Sequence, residues 1–188
     1  MVDKGLGVNV EIKAKCQNHD YVRSALEREK AVFVGVDNQV DTYFNTSRGR
    51  LKLREGMIEK ALIYYERPDK PGPKRSSVWL YQVSNPKPLR NLLEKALGVR
   101  VVVRKRREIY RVGNVKIHLD EVPGLGWFLE VEAADEGGLI GERRLRAQCE
   151  HYLKLFGVRM EDLVATSYGD MLLETKSNNS GKCNHQAV

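Results

Sequence analysis

No stretch of this sequence stays apolar long enough to cross a membrane as a helix, and residues 1–10 carry no apolar run of signal-peptide length. The expected protein is therefore neither a helical membrane protein nor a secreted precursor, and the expected location is cytoplasmic. Cysteine is scarce as well. Cys16, Cys149 and Cys183 are an odd number, lie far apart and form no C-x-x-C pair, so reduced thiols are expected rather than a disulfide framework or a zinc site. No internal repeat is visible, nor any Ser, Cys or His constellation of the kind that supplies a nucleophile. Charge, in contrast, is plentiful. Lys and Arg number 32 against 25 Asp and Glu, a net charge of +7, which favours an anionic partner: nucleic acid, anionic lipid or a phosphorylated small molecule. At 188 residues and 41% hydrophobic, the chain can bury the core of one domain. That domain is expected over residues 1–175, with residues 176–188, rich in Ser, Asn and Gly, as a disordered tail.

Periodicity gives the elements. Val8 to Lys15 alternates strictly, with Val8, Val10, Ile12 and Ala14 on one side and Asn9, Glu11, Lys13 and Lys15 on the other, which is a strand with one polar face. Asp20 to Lys30 reads as an amphipathic helix with Asp20 as a candidate cap. Val32 to Asn45 is extended, as two strands or one bent one, and a turn follows at 46–49. Further strands are expected at Arg50 to Arg54, Ala61 to Arg67 and Val78 to Val83, the last two separated by a Pro68 to Lys74 loop. Pro88 to Leu97 is a helix ending at Gly98. Arg100 to Val112, Val115 to Glu121 and Trp127 to Ala134 form a run of strands joined by tight turns. Leu139 to Phe156 is a helix, and Tyr168 to Leu173 a short last element. About eight strands in hairpin-like succession favour an antiparallel barrel or sandwich.

The polar faces of these strands are segregated by sign. Arg50, Lys52 and Arg54 share one strand, Lys105 and Arg107 another, and Glu130 and Glu132 a third, while Lys116, His118 and Asp120 share a strand of mixed sign. An open sheet facing water would carry a looser mixture. A barrel closed over these faces needs both signs inside, because buried like charges shift their pKa values or unfold the protein. Clustered carboxylates suit a hard cation such as Mg2+ or Mn2+, and clustered Lys and Arg suit phosphate oxygens. The run Arg104 to Arg107 could instead be a nucleic-acid patch, but no interleaved aromatics or reader helix accompany it, so nucleic acid is disfavoured. Histidines His19, His151 and His185 are expected on the surface.

Seven fragments in order carry a resemblance: Val10-Glu11-Ile12-Lys13-Ala14-Lys15, Asp41-Thr42-Tyr43-Phe44, Gly49-Arg50-Leu51-Lys52-Leu53-Arg54, Tyr65-Glu66-Arg67-Pro68, Val103-Arg104-Lys105-Arg106-Arg107-Glu108, His118-Leu119-Asp120-Glu121-Val122 with Gly124-Leu125-Gly126, and Leu129-Glu130-Val131-Glu132. Together they resemble a CYTH domain of the triphosphate tunnel metalloenzyme superfamily, which contains class IV adenylyl cyclases, thiamine triphosphatases and inorganic triphosphatases. The resemblance implies an α+β fold, a closed eight-stranded antiparallel β-barrel that forms a tunnel, with surrounding helices. It implies a metal site of Glu11, Asp120, Glu130 and Glu132 for Mg2+ or Mn2+. It implies phosphate binding by Lys13, Lys52, Arg54, Arg67, Lys105 and Arg107, with Glu11 and Lys13 as catalytic groups. Lys15, Arg50 and Lys116 share these faces as weaker candidates, while Glu66, Tyr168 and His118 could support the site or serve structure alone.

The family's amino-terminal E-x-E-x-K signature fits best with Asn9, Glu11 and Lys13, so Asn9 stands where a Glu belongs. An amide oxygen can ligate a metal but brings no charge and cannot act as a base. A second register uses Glu11, Lys13 and Lys15. The resemblance implies as partner a triphosphate-containing small molecule: tripolyphosphate, thiamine triphosphate or a nucleoside triphosphate. No membrane partner is expected, and the expected state is a monomer or homodimer. The leading expectation is a metal-dependent triphosphatase using water as nucleophile, since the His-Phe pair ahead of the first strand in characterised cyclases of the family is absent. Class IV adenylyl cyclase and a non-catalytic polyphosphate or nucleotide-binding module are the alternatives.

Overall fold

The computed structural model describes residues 7–182 apart from Glu136. In chain order the elements are β1 (Gly7–Lys15), α1 (His19–Arg28), β2 (Val32–Phe44), β3 (Arg50–Glu55), β4 (Lys60–Glu66), β5 (Lys74–Gln82), α2 (Pro86–Leu97), β6 (Val99–Val112), β7 (Val115–Val122), β8 (Gly126–Asp135), α3 (Glu142–Leu155) and α4 (Tyr168–Lys182). The strands close on themselves in the order β1-β5-β4-β3-β2-β6-β7-β8, every neighbour antiparallel. Two meanders, β2 to β5 and β6 to β8, meet at the long β2–β6 ladder, and β1 is the stave that joins β5 to β8. Closure satisfies the backbone of both end strands, which an open sheet would leave bare. Among the described residues no helix is long and apolar enough to cross a membrane.

The alternation of each strand decides what faces in. Val10, Ile12, Val115, Ile117, Leu119, Leu129, Val131 and Ala133 point outward, where Val22, Ala25 and Leu26 of α1 and Leu145, Cys149 and Tyr152 of α3 bury them. A barrel this size ordinarily fills its interior with apolar side chains. Here the apolar core lies outside the wall, so the odd positions of β1 and β6 and the even positions of β3, β7 and β8 carry charge into the interior. Apolar side chains do fill one end, where Tyr43, Tyr65, Val101, Val103, Val122 and Phe128 meet Val164 and Tyr168 at the head of α4. Gly169 sits in that first helical turn because a Cβ there would lie 3.0 Å from the Val101 side chain.

Several boundaries differ from expectation for identifiable reasons. β2 is a single strand bent by a register shift between Phe33 and Gly35, where Gly35 takes φ +145. β5 begins at Lys74 inside the expected loop, because Lys74, Ser76 and Ser77 are polar and periodicity cannot mark them as a strand. Asn18, not Asp20, caps α1, its side chain accepting from the Tyr21 amide at 3.0 Å. His19 is buried rather than on the surface, with Nε2 3.0 Å from the Phe128 carbonyl. α4 continues through residues 176–182, across the first part of the expected tail. There Thr175 and Ser177 hydroxyls donate back to the carbonyls of Met171 and Leu173, local bonds that composition does not reveal. The rest of that tail, 183–188, with Cys183 and His185, lies outside the described residues.

Asp37 pins the β3–β4 turn against β2. Its fully buried carboxylate accepts from the amides of Met57 (2.6 Å), Ile58 (3.1 Å) and Glu59 (3.0 Å) and from the Gln39 amide (2.9 Å). Burial raises its pKa, and these bonds more than offset burial, holding it below the usual carboxylate range. Asp37→Asn should therefore lower unfolding stability at neutral pH by about 1–3 kcal/mol. A depressed folded pKa contributes stability above the unfolded pKa that is lost as pH falls through the folded value. The gap between wild type and variant in urea melts should accordingly close on acidification, whereas a constant gap would assign the loss to packing.

Candidate active site: a charged tunnel

The interior holds a cavity of about 110 Å3 lined by six cationic side chains, Lys13, Lys52, Arg54, Arg67, Lys105 and Arg107, and four carboxylates, Glu11, Asp41, Glu130 and Glu132. All six expected phosphate-binding residues are thus brought together, from three strands, β1, β3 and β6, and the segment after β4. Asn9 also faces this space. Lys15, at the end of β1, is exposed and outside the lining, which agrees with Asn9, Glu11 and Lys13 as the interior trio of that strand.

One carboxylate organises the β2–β3–β6 wall. Asp41 accepts from Arg54 twice, at 2.9 Å from both Nε and Nη2, from Lys105 at 2.7 Å and from Lys52 at 3.2 Å. Burial raises its pKa, and these cations overcome that to hold it well below the ordinary carboxylate value. Lys105 is pushed down to about 7 by burial, with Asp41 opposing and Arg54 and Arg107 adding repulsion. The sequence pattern attaches no site role to Asp41. Its parity with Tyr43 on β2 was the available signal.

A second set spans β1, β6, β7 and β8. Lys13 Nζ lies 2.6 Å from Glu130 Oε1, and Arg107 Nη2 lies 2.5 Å from Glu130 Oε2. Arg107 also donates to both oxygens of Asp120, Nε at 2.6 Å and Nη2 at 2.5 Å, and Asp120 accepts the Tyr168 hydroxyl at 2.7 Å. Burial raises the Glu130 carboxyl, and Lys13 and Arg107 outweigh it, keeping it well below the normal range. His118 is buried with Nδ1 3.6 Å from Glu130 Oε2 and no hydrogen-bond partner for either ring nitrogen; burial and Arg107 lower its pKa. The Tyr168 ring lies 3.4 Å from Lys13 Nζ, so the head of α4 contacts both the cation and the carboxylate of this set.

The four expected metal ligands divide into two kinds. Glu11 and Glu132 are direct cross-strand partners, and Lys116 and Glu132 pair across β7–β8. Two carboxylates opposed in register repel unless a cation lies between them. In this structure Glu11 contacts Arg67, and Glu132 accepts from the Asn9 amide at 2.5 Å. Asp120 stands apart, both oxygens taken by Arg107 and Tyr168. The donor set of Glu11, Glu132 and neighbouring Glu130 is all carboxylate oxygen and fits a hard divalent cation, although no three such side chains among the described residues converge as a formed site. The weaker candidates lie at the ends: Lys116 is 3.7 Å from Glu59, and Arg50 bonds Asp69 and Asp170 outside the tunnel. Glu66 accepts from the Tyr64 hydroxyl outside the tunnel. Lys74 was missed because it fell in an expected loop. It is fully buried, donates to the carbonyls of Val164 and Ala165, and is lowered to about 7 by burial and then by Arg67 and Lys13.

A closed antiparallel barrel with a cation-lined interior and opposed carboxylates defines the class of tunnel proteins. Within it, the chain belongs to the CYTH domain family, which matches residues 8–167. A protein of Methanocaldococcus jannaschii, provisionally named an adenylate cyclase, is 27% identical over 175 residues, covering 86% of this chain and 96% of that one. The solved structure of the PH1012 protein of Pyrococcus horikoshii OT3 superposes with a TM-score of 0.75 at 25% identity, over 86% of this chain and 98% of that one. A Hippeastrum protein, provisionally an adenylyl cyclase and described as having a dominant triphosphatase activity, has a TM-score of 0.60 at 16% identity over 91% of this chain and 96% of its own. That likeness speaks to the fold.

Asp41→Asn keeps the shape of the side chain and removes the negative charge beside three cations. Breaking a buried ion set in this way costs about 3–5 kcal/mol. Urea melts should register that loss, and pyrophosphate, by replacing the missing charge, should restore more stability to the variant than it adds to the wild type. Equal responses would mean that the anion does not reach this wall.

Proposed function

We propose that this protein is a metal-dependent triphosphatase that hydrolyses the terminal phosphoanhydride bond of a linear or organic triphosphate held in the tunnel. The observation that carries the reading is the lining. Six cations face one enclosed space, and the aromatic rings that line it are already engaged by lysines: Lys13 over Tyr168, and Lys52 5.6 Å from both Tyr43 and Tyr65. Such a lining favours recognition of phosphate oxygens over stacking of a base. Arg54 and Arg107, each held by a carboxylate, present their guanidinium groups in a fixed orientation, and Lys52 and Lys105 act as point charges.

When bound by Glu11, Glu132 and Glu130, Mg2+ or Mn2+ supplies charge neutralisation on the phosphoryl group and its leaving oxygen. Glu11 takes a proton from the attacking water, whose oxygen forms the new bond to the terminal phosphorus as the bond to the bridging oxygen breaks. Lys13 faces the terminal phosphate and balances its charge. Asp120 and Tyr168 fix Arg107. With tripolyphosphate the products are orthophosphate and pyrophosphate. Asn9, neutral where the family signature has a carboxylate, orients Glu132.

The provisional cyclase name of the Methanocaldococcus relative supports a second reading, attack of the ribose 3′ hydroxyl on the α-phosphorus of ATP. Single-turnover product analysis separates the two: orthophosphate from tripolyphosphate, thiamine triphosphate or ATP supports hydrolysis, cyclic AMP with pyrophosphate supports cyclisation, and tight binding without products supports a binding module. Glu11→Gln and Glu132→Gln should each abolish metal-dependent turnover and shrink the thermal shift produced by Mg2+ or Mn2+, with the fold retained. Near-wild-type thermal shifts in both variants would remove these residues from the metal site.

Lys105 gives the tunnel a pH signature. Its ammonium form is disfavoured in the ligand-free tunnel and favoured beside a polyanion, so tripolyphosphate binding at pH 8 should take up a proton and weaken as pH rises above about 7. Calorimetry in buffers of different ionisation enthalpy measures this, and Lys105→Ala should reduce the uptake. An unchanged proton count in the variant would place the titration on another group.

A further inference from the structure

Beside the head of α4, outside the tunnel, a cleft of about 480 Å3 is lined by Arg48, Arg50, Arg67, Arg100 and Glu66. Arg67 also lines the tunnel cavity, so a single side chain belongs to both spaces. Its side chain is only 4% exposed. One of its nitrogens contacts Glu11, while Nε and Nη2 are buried without a partner. Unpaired guanidinium nitrogens in a buried position are costly, and an oxyanion is the ligand that relieves them.

The two spaces are joined by more than Arg67. The Tyr65 ring has Lys52 and Arg67 each at 5.6 Å and Arg50 at 6.0 Å, so a cation of the tunnel, a cation of the cleft and the one they share gather around a single ring. A purely structural role explains part of the cluster. Arg50 bonds Asp69 and Asp170, and Arg100 bonds Asp170 at 3.1 Å, which fastens α4 to the barrel. It does not explain Arg48, which is exposed with no ion pair among the described residues, or the two free nitrogens of Arg67.

We propose that this cleft is a second phosphate subsite that takes the far end of a linear polyphosphate whose leading phosphates occupy the tunnel. The inference rests on the triphosphatase reading and extends its substrate class to chains longer than three phosphates. Arg67 bridges the two segments of the chain, and Arg48 with Arg100 holds the emerging end.

The test is isothermal titration, with a chelator present to prevent turnover, of tripolyphosphate, tetrapolyphosphate and a longer linear polyphosphate. The proteins compared are wild type, Arg48→Ala/Arg100→Ala, and Arg143→Ala/Arg144→Ala. The last pair removes the same charge from the exposed side of α3 and controls for non-specific attraction to a basic protein. Wild type and the α3 variant should bind the longer chains roughly tenfold more tightly than tripolyphosphate. The cleft variant should lose that gain while keeping its affinity for tripolyphosphate within about twofold, since neither Arg48 nor Arg100 lines the tunnel. Equal affinity for all lengths in the wild type, a gain retained by the cleft variant, or the same loss in the α3 variant would each overturn the subsite. Failure of tripolyphosphate itself to bind would instead overturn the reading of the tunnel, and this inference with it.

Discussion

Burying a charge without a partner costs several kcal/mol, and that constraint shapes the interior of this barrel more than any packing rule. The wall places its apolar residues outward under α1 and α3, which leaves charged residues to share the inside. They can do so only as sets. Asp41 holds Arg54, Lys105 and Lys52; Glu130 and Asp120 hold Lys13 and Arg107; Glu11 holds Arg67. Each set satisfies its carboxylate, and Arg67 keeps two buried nitrogens without a partner. An interior built this way is folded but electrostatically incomplete, and a polyanion is the molecule that completes it. Binding capacity and the requirement for stability thus have one physical origin.

The carboxylates play two parts that their chemistry alone would not distinguish. Asp41 and Asp120 are fully buried and have every oxygen committed to cations or a tyrosine, so their effect is to aim Arg54 and Arg107. Glu11 and Glu132 are partly open and oppose each other across β1 and β8. Asn9 changes this second pair. Its amide donates to Glu132, where a carboxylate in the same place would add a third negative charge to the corner. An amide at this position spares the corner that repulsion.

Most of this architecture was legible because period-two alternation survives in strands with one charged face. β1, β3, β6, β7 and β8 announce their parity, and parity alone sends Lys13, Lys52, Arg54, Lys105, Arg107 and Glu130 to one side. Closure could not be read from alternation, since a sandwich and a barrel share it; the order of the motif fragments supplied that step. The start of β5 was hidden because both of its faces are polar near Lys74. The separation of Asp120 from the other carboxylates was hidden too, since distance along a strand does not say which cation a side chain will reach. α4 was underestimated because Ser, Asn and Gly in its last turns are weak helix formers and offer no apolar stripe to read.

The seam between β1 and β8 has a consequence for how the molecule comes into being. It is the joint that shuts the barrel, and its contacts link residues as far apart as Asn9 and Glu132, separated by 123 positions. Contacts of such sequence separation form slowly, because the loop-closure entropy of the intervening chain is lost before the ladder rewards it. Lys13 with Glu130, and Glu11 beside Glu132, lie across this seam. While β8 has yet to be synthesised, β1 has no partner on that side, and only the wall around Asp41, carried by β2, β3 and β6, has all its strands. The other half of the interior is assembled last, when the final stave meets the first.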